Sequence, residues 1–233
     1  MNNKKAFTLT ELIIALGIIG TIAALTVPSI LKNINKKILS SQIKNTVASI
    51  QQLVTDQMVT KKTKILADTD FASPGSLLSS ANFEISGICP KADTEDDNAV
   101  NCWADTYKVF YVQNNRTASQ NITTDGTVPN TITAIKLKNG TTIGYSLASE
   151  SDVPSNGEDA YGKFYVDLNG TEEPNIVGRD FFEFYLTEKG KLVATEVSGT
   201  CHDPISSNLD AALNCFSILM NNNWKMPDND ADY

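Results

Sequence analysis

The chain has 233 residues, 41% of them hydrophobic and 20% charged, enough apolar material for a packed core and too much for global disorder. Its formal net charge of −8 argues against general nucleic-acid binding, because phosphates are held by clustered Lys and Arg. A single histidine, His202, leaves little material for His-based triads, metal sites or pH switches. The length suits one folded domain with an appendage, or two small domains.

From Leu12 to Leu31 the run LIIALGIIGTIAALTVPSIL is apolar or small throughout. About 20 such residues span the hydrocarbon core of a bilayer as a helix. Lys4 and Lys5 precede the run, and one acid, Glu11, stands at its edge. A secretory signal peptide is one reading, but the run is long and no A-x-A site closes it. A plain anchor helix is another, and it leaves Glu11 unexplained. Lys32, Lys36 and Lys37 flank the far end, so the positive-inside rule does not fix the orientation.

A third reading comes from KKAFTLTEL, residues 4–12. This stretch resembles the processing site of type IV prepilins and of type II secretion pseudopilins, and the likeness covers the chain up to about Leu31. The resemblance implies a leader of residues 1–6, cut after Ala6 by a prepilin peptidase that also methylates the new amine of Phe7. Ala6 stands where the family usually has Gly, and it is small enough that cutting is expected. An acid inside a membrane segment is a functional hypothesis that needs a partner. After cleavage Glu11 could pair with the Phe7 amine of its own chain, four residues away, or with that of the next subunit. Such a pair would remove much of the cost of an unpaired buried carboxylate and set axial register. The plainer alternative is a Glu solvated at headgroup level.

By the same resemblance the chain is a structural subunit, not an enzyme, of a type IV pilus or pilus-like filament. A type II secretion pseudopilin and a non-polymerising, membrane-anchored extracytoplasmic binding domain are the alternatives. The implied partners are like or unlike filament subunits, the peptidase and methyltransferase, and an inner-membrane assembly platform. The implied location is the bacterial inner membrane as a single-pass protein, then a cell-surface or periplasmic filament. Loss of Lys4 and Lys5 takes the formal charge from −8 to −10.

Pro28, inside the apolar run, removes a backbone bond and kinks a helix, and Gly17 and Gly20 weaken it further. Together they would let the helix bend or loosen in a filament. Beyond Pro28 the pattern turns amphipathic. Ile30, Leu31, Ile34, Ile38, Ile43, Val47, Ile50 and Val54 recur at helical spacing, with Lys32, Lys36, Lys37 and Lys44 on a solvated face. A continuous helix from Phe7 to about Thr60 would be about 80 Å long, its second half lying across a sheet. The expected divisions are 1–6, 7–31, 32–60 and a head of 61–233.

Residues 61–104 read as loop-rich, including CPKADTEDDNAVNC, an acidic surface loop between two cysteines. Strands then dominate. TYKVFYV (106–112), TITAIKLKNGTTIGYSLA (131–148, with Asn139-Gly140 in a type I′ turn), GKFYVDLNG (162–170) and FFEFYLTEKGKLVATEV (181–197) would build one antiparallel sheet. Its apolar face needs the long helix as cover, giving an α+β, pilin-like fold. Near the C-terminus, Ser206 or Ser207 would cap a short helix carrying Leu209, Leu213, Cys215 and Phe216.

None of the four cysteines forms a C-x-x-C pair. Beyond a membrane anchor they suit two disulfides, and three connectivities are possible. Cys89–Cys102 and Cys201–Cys215 close the shortest loops. The resemblance adds the expectation of a C-terminal bridge between Cys201 and Cys215. In VDLNGTEEPNIVGRD (166–180), Asp167, Asn169, Glu172, Glu173 and Asp180 offer oxygens near a glycine turn, as calcium requires. The spacing is not that of an EF-hand, and a polar turn with Asp180 capping backbone amides is the plainer reading. No G-x-S-x-G, P-loop or dinucleotide fingerprint occurs. Cys201, His202 and Asp203 are sequence neighbours without the geometry of a triad.

Overall fold

The computed structural model describes residues 8–75, 77, 83–89, 102–104, 106–113, 116–123, 133–149, 152, 157–173, 175–194 and 215–226. The first helix, α1, runs unbroken over Leu9–Lys61, 53 residues, through Pro28. It ends where Lys62 turns left-handed (φ 54°) and its N–H meets the carbonyls of Met58 and Val59. That αL cap satisfies carbonyls that the helix leaves without partners.

The main sheet has six antiparallel strands in the order β1-β4-β5-β6-β7-β8. They are β1 (Ile85–Cys89), β4 (Thr133–Leu137), β5 (Thr142–Leu147), β6 (Ala160–Asp167), β7 (Phe181–Thr187) and β8 (Leu192–Val193). β2 (Thr106–Gln113) and β3 (Arg116–Thr123) form a separate two-stranded hairpin. Two short 3-10 turns follow α1, at Leu66–Asp68 and Asp70–Ala72. A second helix, α2, covers Cys215–Asn221.

Ile43, Val47, Ile50 and Val54 are all buried, and they seat α1 on the face of the sheet that carries Phe164, Val166, Phe182, Phe184 and Leu186. Phe216 of α2 completes this layer, stacked on Phe184 with centroids 4.5 Å apart. The amphipathic stripe is shorter in the fold than its periodicity promised. Ile30, Leu31, Ile34 and Ile38 remain exposed, and Leu39 is the first to pack against the core. The reason is length. Six strands spaced about 4.8 Å make a sheet under 30 Å across, against a helix of about 80 Å.

The opposite face of the sheet is covered as well, which is why all seven residues of β7 are buried. Phe181, Tyr165, Trp103, Tyr107 and Val177 form a second apolar layer beside the disulfide Cys89–Cys102. Farther along that face Lys163 pairs with Asp152 at 2.7 Å and Glu183 at 3.2 Å. Burial works against its charge, but Glu183 and Asp152 hold the Lys163 ammonium well above its usual pKa. The C-terminal region is tied back to the long helix, since the Ser40 hydroxyl donates to the Trp224 carbonyl and Met226 is buried.

Several sequence expectations are corrected. TYKVFYV does not join the main sheet but pairs with β3, a polar strand (RTASQNIT) with no apolar alternation to announce it. β1 lies inside the segment read as loop, where Gly87 and Ser86 mask a strand at the sheet edge. The Asn139-Gly140 turn is not type I′, because only Gly140 has positive φ (91°). Gly140 N donates to Leu137 O and Leu137 N to Thr141 O, a type I turn closed by a glycine bulge. The β7–β8 hairpin repeats this closure at Gly190 (φ 78°). The Ser206 and Ser207 cap, Leu209, Leu213, the acidic loop after Cys89 and His202 lie outside the described residues.

Candidate assembly site at the N-terminus

Thr8 and Glu11 carry the sequence T-x-x-E, the signature of a capping box. The structure forms it in full. Glu11 N donates to Thr8 Oγ1 (3.2 Å), while Thr8 N and its hydroxyl donate to Glu11 Oε2 at 2.9 and 2.8 Å. Both members follow Phe7, so the box survives a cut after Ala6. One carboxylate oxygen is thus committed to the start of the helix. Among the described residues Oε1 accepts nothing, which leaves it open to an amine. Ala6 and Phe7 themselves lie outside the described residues. The T-x-x-E spacing allows such a box in sequence, and the helix start at Leu9 is what makes Thr8 its cap.

Behind this cap the helix is apolar on every side. Leu12, Ile13, Ile14, Leu16, Ile18, Ile19 and Ile22 are each more than half exposed. An 18-residue window reaches a mean hydropathy of 2.2 with none of it buried. Two threonines within the run bond back to the helix backbone. Thr21 Oγ1 donates to Ile18 O and Thr26 Oγ1 to Ile22 O, at 2.9 and 3.0 Å. That suits an environment without water, where unpaired polar atoms are costly. Pro28 is exposed, and its ring removes the donor that the Ala24 carbonyl would otherwise meet.

The 166–180 stretch is organised around two buried carboxylates. Asp167 Oδ1 accepts from Asn169 N (3.1 Å) and Gly170 N (2.8 Å), and its Oδ2 accepts from the Tyr107 hydroxyl (2.6 Å). Asp180 Oδ1 accepts from Ile176 N, the amide capping foreseen for it. Burial pushes Asp167 up to about 8; the Tyr107 hydrogen bond opposes that and the charge of Asp180 adds to it. Burial likewise pushes Asp180 up to about 6. Glu172 and Glu173 are exposed. Among the described residues no three His, Cys, Asp or Glu side chains gather closely enough to hold a metal. What the arrangement does is close a turn and latch β2 to β6 through Tyr107, a contact that no local sequence pattern announces.

Cys89 and Cys102 are bonded, with Cα atoms 5.9 Å apart. Cys215 is also in a disulfide, and Cys201 lies outside the described residues.

A capped helix whose first half is apolar and long enough to cross a membrane, joined to a sheet-bearing head, defines a class: an apolar helical stalk with an α+β domain at its far end. Residues 1–27 match the prokaryotic N-terminal methylation motif. The N-terminal segment is therefore of the type IV prepilin and pseudopilin kind. No curated protein and no solved structure matches the chain.

Proposed function

We propose that the protein is a structural subunit of a type IV pilus or pilus-like filament, inserted in the bacterial inner membrane, cut between Ala6 and Phe7 and assembled by packing of its N-terminal helix. The observation that carries this is the methylation motif at residues 1–27 leading into a helix whose apolar surface its own chain leaves uncovered. A segment apolar on all sides must be solvated by lipid or by other helices. Glu11, with one oxygen engaged by Thr8, offers the other to the Phe7 amine of a neighbour during the move from lipid to filament. A secretion pseudopilin uses the same features, and a subunit that leaves the membrane only to form a short periplasmic filament is the second form of this reading.

The capping box favours one competitor. It gives Glu11 a task within its own chain, as an anchored domain that never polymerises would need. Substitution of Glu11 separates the two. The filament reading expects Glu11→Ala to be processed normally while the yield of sheared filaments falls to background. Glu11→Gln keeps the cap acceptor and loses the charge, and it should fail equally. Normal assembly of Glu11→Gln would leave the cap as the whole role of this residue.

A further inference from the structure

We infer that the part of α1 just beyond its apolar run, from Ile34 to Lys44, is a docking surface for the acidic head of a second copy of the protein. The inference rests on the filament reading above and says which surfaces meet. A hydrocarbon core of about 30 Å takes up about 20 helical residues, so a span that starts at Leu9 is used up near Pro28. Ile34 then stands about 9 Å beyond the hydrocarbon and Ile38 about 15 Å. The protein's own head does not reach them either, and they are 46% and 52% exposed. Two isoleucines are thus left outside both of the apolar environments that one copy can offer. Lys37 and Lys44 stand exposed on the same stretch.

Charge is separated along the chain in the sense this surface requires. Residues 32–44 hold four lysines and no acid, a net of +4. Residues 65–233 hold 25 acids against ten bases, a net of −15. A basic and partly apolar collar therefore has its electrostatic complement on the head of every other copy. Anionic lipid is the weaker match. Headgroups occupy only about 5–8 Å on each side of the hydrocarbon, whereas Lys44 stands about 24 Å past Pro28. The two surfaces differ, collar on one copy and head on the next. The contact is heterologous, and its repetition builds an open helical assembly instead of a closed dimer.

The test uses full-length protein in cells that carry its assembly machinery. Lys37→Glu combined with Lys44→Glu should lower filament yield by about tenfold or more, since like charges brought together cost several kcal/mol. Processing before Phe7 and the Cys89–Cys102 bond should be unchanged, and Lys37→Arg with Lys44→Arg should assemble like the parent. Carbodiimide treatment of filaments grown from mixed light and heavy isotope copies should join Lys37 or Lys44 of one copy to a head carboxylate of another. Parental yield from the reversed protein, or cross-links confined to single copies, would overturn the inference. So would loss of membrane retention and of binding to phosphatidylglycerol vesicles in the reversed protein with assembly intact, which would make lipid the partner. If the parent is processed but never assembles, the filament reading fails first and the inference falls with it.

Discussion

Leu9–Leu31 and Lys32–Lys61 are parts of one unbroken helix, yet they relate to the rest of the chain in opposite ways. In the first, large apolar side chains are exposed on every side. In the second, Ile43, Val47, Ile50 and Val54 lock one face onto the sheet, and Gln52, Asp56 and Lys61 keep the other wet. Helical continuity therefore does not reveal where a segment finds its partners. The breadth of the apolar surface does. A stripe is satisfied inside the chain, and a full cylinder only outside it.

The sharpest way to break this comparison is to remove one methyl-rich side chain from each half. Ile50→Ala should destabilise the head by about 2–5 kcal/mol, the usual cost of a large-to-small change in a buried site. Ile18→Ala should shift head unfolding by less than about 0.5 kcal/mol, as for surface changes generally. Urea melts of detergent-solubilised protein read both, and equal shifts would mean that the halves are not independent. The disulfide comes next. Cys89–Cys102 closes a loop with a sequence separation of 13, and Cys89→Ser with Cys102→Ser should cost about 3 kcal/mol on a chain-entropy account. An unchanged urea midpoint would show that the second apolar layer holds without it.

A smaller effect concerns pH. Asp167 is raised from 3.8 to about 8 by burial. A carboxyl with a raised folded pKa contributes stability that is complete below its unfolded pKa and is lost as pH climbs through the folded one. The head should therefore unfold more easily as pH rises from about 4 to about 8, with Asp180 (about 6) adding in the lower part of that window. Asp167→Asn should flatten the dependence. A slope unchanged in that variant would assign it to other groups.

The parts of the molecule legible in the sequence were those fixed by local chemistry. The ends of α1 fell within a residue or two of Phe7 and Thr60. The strands around Tyr145, Phe164 and Phe184 were legible because β-branched and aromatic residues crowd them. The short-loop disulfide at Cys89 followed from spacing. What could not be read depends on distant partners. β3 is a strand because β2 pairs with it, and Ser, Gln and Asn say nothing of that. The buried latch from Tyr107 to Asp167 joins residues sixty positions apart. At Asn139-Gly140 the dipeptide allowed two closures, and the bulge geometry at Gly140 decided between them. For the candidate assembly site, the motif around Ala6, Phe7 and Glu11 was plain from nine residues, whereas the cap made by Thr8 needed the helix start to be placed.

The central claim is that the first half of α1 is a processed assembly segment and not a permanent anchor. The most direct test is the N-terminal residue and intact mass of the protein taken from its native cells. A chain that begins at Phe7 and is one methyl heavier is the result expected here. A chain that still begins at Met1, in cells with an active prepilin peptidase, would contradict it.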